Sequence, residues 1–162
     1  MISLDIARAY SKSVSGIYMK VFGKVLRYNE VDNRKNLFTG GTYLVISTYI
    51  IILFFPMPVA VTSVFLITYS DSLAAIIGKR FGRIKIFYKT LEGSIVFFLS
   101  GLLIIFLTPK VTHDPFELQI SIFSLIVTTI FEVFPIKIDD NLYLPFIFST
   151  VYFLLLKLFN LY

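Results

Sequence analysis

The chain has no cysteine, a single histidine and few charged residues. Without cysteine, disulfide bonds and thiolate metal sites are excluded. His113 is the one histidine of the sequence, so a zinc site is not expected. Of the 162 residues 15% are charged and 57% are hydrophobic, whereas a soluble domain carries about 25% charged residues. This composition indicates an integral membrane protein that forms one domain, residues 1–162.

Two familiar sequence signals are also missing. The sequence has no P-loop that ends in Gly-Lys-Ser/Thr and no G-x-G-x-x-G after a strand. The first thirty residues contain regularly spaced Arg and Lys and lack an uninterrupted apolar core, so no cleavable signal peptide is predicted. The net charge of +5 does not indicate a nucleic-acid partner, because the cations gather in loops between apolar runs.

Five apolar runs predict an all-α fold, an integral membrane helical bundle over residues 41–158. A membrane-spanning helix needs about 20 apolar residues, which favours five spans, with four as the alternative. Residues 1–28 predict an amphipathic helix that lies either in the plane of an anionic membrane surface or packed in the cytoplasm. The five runs are 41–55, 59–78, 92–109, 118–134 and 142–158.

The loop charges predict the orientation of this multi-pass bundle. Thirteen Lys and Arg residues fall in the N-terminal segment and in the loops around residues 79–90 and 135–141, whereas Lys110 and Lys157 fall on the other side. Cytoplasmic loops carry an excess of cations. These two loops are therefore predicted to face the cytoplasm, and the active site is expected on that side of the membrane.

Residues 70–94 combine an acid, small residues and cations. Asp71 lies inside an apolar helix, where an ionised side chain costs about 2.5–3.5 kcal/mol, and a face of small residues follows it. A run of cations comes next, and glycines with cations suggest a phosphate site. The alternatives are helix packing by the small residues and membrane topology set by the cations. The face is Asp71, Ala75, Gly78 and Gly82, and the cations are Lys79, Arg80, Arg83, Lys85 and Lys89.

A second group of acids closes the fourth apolar run and opens the fifth. Glu132 ends one run, and Asp139-Asp140-Asn141 follows after a short loop with Pro135. Mg²⁺ takes oxygen ligands and shares them with substrate phosphates, so these acids are a candidate magnesium site. The alternative is a solvated acidic turn in which Asp140 or Asn141 caps the last helix.

Three ordered motifs together resemble the polyprenol kinase family, which includes dolichol kinase, phytol kinase and CTP-dependent diacylglycerol kinase. The resemblance covers roughly residues 25–150. Two features depart from the family pattern: Ser70 replaces a glycine, and residues 1–28 do not match an earlier membrane segment with Arg-Lys and a following His. The motifs are Ser70-Asp71-x-x-Ala74-x-x-x-Gly78-Lys79-x-x-Gly82, then Lys89-Thr90-x-Glu92-Gly93-Ser94, then Glu132 with Asp140-Asn141-Leu142-x-x-Pro145.

The resemblance implies an all-helical membrane enzyme that uses a divalent metal, Mg²⁺, and transfers the γ-phosphate of CTP to the hydroxyl of a lipid alcohol. The acceptor class is a polyprenol, an isoprenoid alcohol or diacylglycerol. Taken with the basic cluster and the late acids, it gives the following expected roles. Catalytic residues are Asp71, Lys89, Glu92 and Asp140; nucleotide-binding residues are Gly78, Lys79, Gly82, Arg83, Thr90, Gly93 and Asn141; metal-binding residues are Asp71, Glu92, Glu132 and Asp140.

Two other functions stay open at this point. A cytidylyltransferase that makes a CDP-lipid from a lipid phosphate would use the same nucleotide, metal and membrane. A transporter or assembly subunit without catalytic activity would use the small residues for helix contacts alone. The small-residue faces also make a homodimer an expectation.

Overall fold

The protein is described here by a computed structural model that covers residues 2–22, 38–112 and 114–162. It contains two compact units, residues 1–46 and residues 47–162, which are considered separately. His113 lies outside the described residues.

The first unit contains two short helices within the segment predicted as one amphipathic helix. Helix α1 is Ile2–Tyr10 and helix α2 is Lys12–Phe22, while residues 23–28 lie outside the described residues. Several apolar side chains of these two helices are exposed, among them Ile6 and Ile17. Exposed apolar side chains of this kind can be buried in a membrane surface or against a packing partner in the cytoplasm, the two predicted environments.

Asp5 of α1 holds the chain where helix α3, Gly40–Phe54, begins. Its buried carboxylate accepts hydrogen bonds from the backbone N–H of Thr39 (2.8 Å), the hydroxyl of Thr39 (3.0 Å) and the hydroxyl of Thr42 (2.7 Å). The first N–H groups of a helix have no partner inside the helix, and a negative charge there is favourable. Asp5 thus fixes a long-range contact within the first unit.

The predicted all-α membrane helical bundle is confirmed. The run 41–55 corresponds to α3, which begins in the first unit, and the four later runs correspond to helices of the second unit. The stretch Met57–Phe81 is helical throughout, because a π-helical turn joins α4 to α5. A hairpin of two strands, each two residues long, precedes α6. The elements are α4 Met57–Leu66, the π-helical turn Ile67–Asp71, α5 Ser72–Phe81, β1 Lys85–Ile86, β2 Lys89–Thr90, α6 Leu91–Leu107, α7 Phe116–Val133 and α8 Asp140–Leu158.

Within the described ranges, three helical stretches are long and apolar enough to cross a membrane: Met57–Phe81, Phe116–Val133 and Asp140–Leu158. Helices α3 and α6 are shorter apolar helices of 15 and 17 residues. Apolar side chains fill the core between these helices and also cover much of the outer surface. An apolar outer surface is stable where lipid, not water, surrounds the helices.

One end of the bundle is closed by the fully buried carboxylate of Glu117, at the start of α7. It accepts hydrogen bonds from the N–H of Val111 (2.7 Å), from the N–H and hydroxyl of Thr112 (2.6 and 2.8 Å) and from the hydroxyl of Tyr152. Buried polar groups are stable when their hydrogen bonds are satisfied. Glu117 therefore anchors the loop between α6 and α7.

Pro145 lies inside α8 and has no N–H, so the carbonyl of Asn141 loses its usual helical donor. The hydroxyl of Ser47 donates to that carbonyl at 2.8 Å. The hydroxyl of Ser63 donates to the carbonyl of Pro145 at 2.9 Å. Ser47 thus compensates for the missing N–H of the proline, and both serines tie the first turns of α8 to other helices.

Candidate active site

Lys89 lies among three carboxylates at the end of the bundle opposite Glu117. Its Nζ is 2.7 Å from Oδ2 of Asp140, 2.8 Å from Oε1 of Glu132 and 3.5 Å from Oδ1 of Asp71. We call these four residues the Lys89 cluster. With all four groups ionised, the cluster carries a formal charge of −2.

The ammonium of Lys89 is held in its charged form. Burial by itself lowers the pKa of Lys89, but Asp71, Asp140 and Glu132 outweigh burial and raise the pKa above its ordinary value. A neighbouring opposite charge favours the charged form of a group. Lys89 therefore stays a cation throughout the physiological pH range and partly neutralises the three acids.

The π-helical turn Ile67–Asp71 brings Asp71 to the cluster. In this turn the helix takes one extra residue, so the two consecutive side chains Ser70 and Asp71 are both buried. Turns of this kind inside α-helices occur frequently at functional sites. The Ser70 hydroxyl has no hydrogen-bond partner among the described residues.

Glu132 reaches the cluster from the last turn of α7 and is almost fully buried. Its Oε1 contacts Lys89, and its Oε2 accepts a hydrogen bond from the hydroxyl of Ser94 at 2.9 Å. A buried carboxylate needs such partners because burying an unpaired charge is costly. Ser94 was part of a sequence motif but had no predicted role, since a serine at this position looks like an ordinary residue of an apolar helix.

Asp140 is the first residue of α8, and its neighbours hold the start of that helix. Asp139 is the N-cap, and its side chain accepts a hydrogen bond from the N–H of Asn141 at 3.0 Å. The capping role suggested for Asp140 or Asn141 thus belongs to Asp139. Asp140 is left to contact Lys89, and Asn141 is fixed through its backbone.

Glu92 does not join the other predicted acids. Its Oε1 accepts hydrogen bonds from the backbone N–H groups of Arg83 (2.9 Å) and Ile84 (3.2 Å). Thr90 is the N-cap of α6 and accepts a hydrogen bond from the N–H of Gly93 at 3.2 Å. Glu92 and Thr90 therefore hold the loop that carries Lys89.

The predicted nucleotide-binding glycines lie where α5 and α6 approach closely. A Cβ added to Gly78 would lie 2.7 Å from Oγ1 of Thr90, and one added to Gly93 would lie 3.0 Å from the carbonyl oxygen of Ala74. A Cβ on Gly82 would also collide with Thr90. In this structure the space beside these glycines is occupied by protein atoms, as in close helix packing.

The predicted cations Lys79 and Arg83 are exposed, as are Arg80 and Lys85. All four lie between the end of α5 and the hairpin that carries Lys89. Their side chains project into the medium at the end of the bundle that holds the Lys89 cluster. This end is consequently the basic end of the second unit.

The Lys89 cluster fits the donor chemistry of Mg²⁺. Mg²⁺ takes oxygen ligands and is usually bound by one or two carboxylates together with substrate phosphates. Asp71, Glu132 and Asp140 supply carboxylate oxygens within 3.5 Å of one ammonium. Among the described residues, no group of three or more acidic, His or Cys side chains is arranged so that it could hold a metal ion by itself, and here the ammonium of Lys89 lies between the three carboxylates.

The fold and the site define an all-α membrane protein with a buried, partly neutralised acid cluster at its basic end. Three curated proteins are similar to the chain in sequence. A protein of Methanocaldococcus jannaschii is 44% identical over 85 residues, 50% of this chain and 40% of the relative. The CTP-dependent diacylglycerol kinase 1 of Schizosaccharomyces pombe is 32% identical over 100 residues, 60% of this chain and 44% of the kinase. A probable chloroplastic phytol kinase of Triticum aestivum is 30% identical over 137 residues, 75% of this chain and 46% of the kinase.

The predicted resemblance to the polyprenol kinase family is confirmed by the two kinases among these relatives. The chain spans less than half of the length of each of the three. No family profile matches the chain, and no solved structure matches it significantly.

Proposed function

We propose that this protein is a lipid-alcohol kinase that transfers the γ-phosphate of CTP to the hydroxyl of a polyprenol, another isoprenoid alcohol or diacylglycerol. The observation that carries the proposal is the convergence of Asp71, Glu132 and Asp140 on Lys89. Phosphoryl transfer depends mainly on positioning and on neutralising charge, and this cluster combines acids with a fixed cation. The choice of CTP rests on the name of the yeast relative.

In this proposal the exposed cations Lys79 and Arg83 bind the triphosphate, and Lys89 contacts the γ-phosphate. Charge-assisted hydrogen bonds to phosphate are among the strongest that side chains make. Glu92 acts by holding the backbone of Arg83, which places that cation beside the site. The glycines act by letting α5 and α6 pack closely, so that the hairpin with Lys89 reaches the three acids.

Glu132 and Asp140 would hold Mg²⁺ together with the phosphates. When bound, Mg²⁺ neutralises charge on the β- and γ-phosphate oxygens. Asp71 has the longest contact with Lys89 of the three acids, 3.5 Å, and we assign it to the acceptor hydroxyl. The lipid hydroxyl oxygen forms a bond to the γ-phosphorus, its proton passes to Asp71, and the bond from the γ-phosphorus to the β–γ bridging oxygen breaks, releasing CDP.

We further propose that the basic end of the second unit faces the cytoplasm, where CTP is present. The support is the distribution of Lys and Arg in the sequence. Thirteen fall in the N-terminal segment and in the loops around residues 79–90 and 135–141, against two on the other side of the predicted bundle. The contact of Lys89 with Asp140 supports part of this arrangement, because it places the loops before α6 and before α8 at one end of the bundle.

The test is a transfer assay on purified protein in lipid, with γ-labelled CTP, Mg²⁺ and a panel of polyprenol, phytol, geranylgeraniol and diacylglycerol. We expect label in one of these lipids, together with CDP. Labelled pyrophosphate released when a lipid phosphate is supplied would replace the kinase by a cytidylyltransferase. Absence of nucleotide binding would favour a membrane protein without catalytic activity.

A further inference from the structure

An apolar groove of about 470 Å³ lies on the outer surface of the second unit, between α6 and the helical stretch Met57–Phe81. We call it the outer groove. It is separate from the Lys89 cluster, which lies inside the bundle. Its principal lining residues are Val61, Phe65, Tyr69, Leu73, Leu103 and Leu107.

Three hydroxyl-bearing residues line the outer groove, Tyr69, Ser100 and Thr108, and the hydroxyls of Ser100 and Thr108 are already engaged in hydrogen bonds. Ser100 donates to the carbonyl of Val96 at 2.6 Å, and Thr108 donates to the carbonyl of Ile104 at 2.9 Å. Thr108 also accepts a hydrogen bond from the hydroxyl of Thr62 at 2.9 Å. The outer groove therefore suits a mostly apolar occupant, because the hydroxyls of Ser100 and Thr108 would not replace the bonds to water that a polar one loses.

The length of the outer groove matches a lipid chain. Val61 and Leu73 are twelve residues apart on one helical stretch, which corresponds to about 18 Å at 1.5 Å per residue. The hydrocarbon core of a bilayer is about 30 Å thick, so the outer groove is about as long as one leaflet is deep. One helix beside it, Met57–Phe81, is long and apolar enough to cross a membrane, and the other, α6, is a shorter apolar helix, so hydrocarbon is the medium that reaches it.

The outer groove also ends at the depth of the catalytic acid. Tyr69 and Leu73 lie two residues before and after Asp71, which places each of them within about 3 Å of Asp71 along the helix axis. Tyr69 and Leu73 are exposed, whereas Asp71 faces the bundle interior. The far end of the outer groove is fixed by the bond of Thr62 to Thr108, next to Val61 and Leu107.

We propose that the outer groove binds the hydrocarbon tail of the lipid alcohol and that Val61, at its far end, limits the length of that tail. A tail in the outer groove has its polar end at the depth of Asp71. This inference rests on the proposed kinase function. The chemical class of the occupant is a single long apolar chain with a terminal hydroxyl group.

The first experiment measures occupancy without activity. Because the chain contains no tryptophan, Leu107→Trp introduces the sole tryptophan, at the far end of the outer groove. The control is Ile126→Trp, an exposed position on α7 outside the groove. In detergent, a brominated long-chain alcohol is expected to quench the first variant saturably and the second only in proportion to its concentration. Equal, unsaturable quenching at both positions would overturn the inference.

The second experiment measures chain-length selectivity with geraniol, farnesol and geranylgeraniol as acceptors. Val61→Phe fills the far end, and we expect kcat/KM for geranylgeraniol to fall about 10-fold or more relative to geraniol. Ile126→Phe should leave the ratio unchanged. An unchanged ratio in an active Val61→Phe variant would exclude Val61 as the limit of tail length. Saturable quenching without phosphate transfer to any acceptor would instead retain the groove and reject the kinase.

Discussion

Nζ of Lys89 and Oδ2 of Asp140 lie 2.7 Å apart, although 51 residues separate them in the sequence. This ion pair joins the hairpin before α6 to the start of α8. Glu132, at the end of α7, shares the same ammonium at 2.8 Å. Ion pairs therefore join three segments of the chain at the basic end of the bundle.

Replacement of Asp71 by asparagine should remove activity and leave the fold intact. Asn keeps the size of the side chain but cannot accept the hydroxyl proton, so we expect kcat to fall about 100-fold or more. The measurement is phosphate transfer from labelled CTP, with the melting temperature in detergent recorded for the same preparation. The matched control is Asp114→Asn, at an exposed position beside the Glu117 end of the bundle. Asn keeps an oxygen that can accept the hydrogen bond from the N–H of Phe116, so activity should not change and the melting temperature should change little. Near-normal turnover of Asp71→Asn would remove Asp71 from the reaction.

Replacement of Lys89 by methionine should lower stability as well as activity, because it leaves the buried carboxylate of Glu132 without its cation. Removing one partner of a buried ion pair costs about 3–5 kcal/mol, and the lower part of this range is expected because the Lys89 side chain is 28% exposed. Lys89→Arg keeps the charge and should recover most of the stability. Chemical denaturation in detergent measures the difference, and equal stability of the Met and Arg variants would contradict the electrostatic explanation.

The contribution of Lys89 to stability should disappear only at strongly alkaline pH. The pKa of Lys89 is raised in the folded protein above its ordinary value of 10.5. A group with a raised pKa stabilises the fold fully below its unfolded pKa, and this contribution is lost as pH rises through the folded pKa. The difference in melting temperature between wild type and Lys89→Met should therefore be constant up to about pH 10 and shrink above it. A difference that shrinks already between pH 7 and 9 would contradict the raised pKa.

Replacement of Gly78 by alanine should push α5 and α6 apart. The added Cβ would lie 2.7 Å from Oγ1 of Thr90, and overpacking of this kind costs about 1–3 kcal/mol. Because the same contact positions the hairpin with Lys89, activity should fall together with stability. Gly16→Ala in α2 is the matched control, since its Cβ meets no atom within 4 Å, and it should be neutral or stabilising by up to about 1 kcal/mol. If both variants had the same stability, close packing at Gly78 would not be the cause.

Ser47 and Pro145 should behave as a coupled pair. Ser47→Ala leaves the carbonyl of Asn141 without a donor, which costs about 1–3 kcal/mol. Pro145→Ala restores a backbone N–H that can donate to this carbonyl, so Ser47→Ala should cost less in that background. A double-mutant cycle by thermal unfolding measures the coupling, expected at about 0.5–3 kcal/mol. Strict additivity would show that the carbonyl of Asn141 does not link the two residues.

The helices of the second unit followed from sequence because a long apolar run has few other stable solutions in a membrane. The candidate site could be predicted less completely, because it depends on contacts between distant segments of the chain. The structure brings together Asp71, Lys89, Glu132 and Asp140, all of which were among the predicted residues, but it places Glu92 on the loop backbone. Glu92 and Glu132 look alike in sequence, since each is an acid at the end of an apolar run. Their different partners depend on the fold of the loop at residues 82–90.

The sequence by itself determined the membrane class, the order of the helices and the resemblance to lipid kinases, because composition, hydrophobic run length and motif spacing are local properties of the chain. The tertiary structure decided which acids share Lys89, that the glycine face packs against Thr90 and Gly93, and that Ser47 compensates for Pro145. It also introduced the π-helical turn that buries Ser70 and Asp71 together. These features depend on contacts between distant segments, which helical periodicity does not encode.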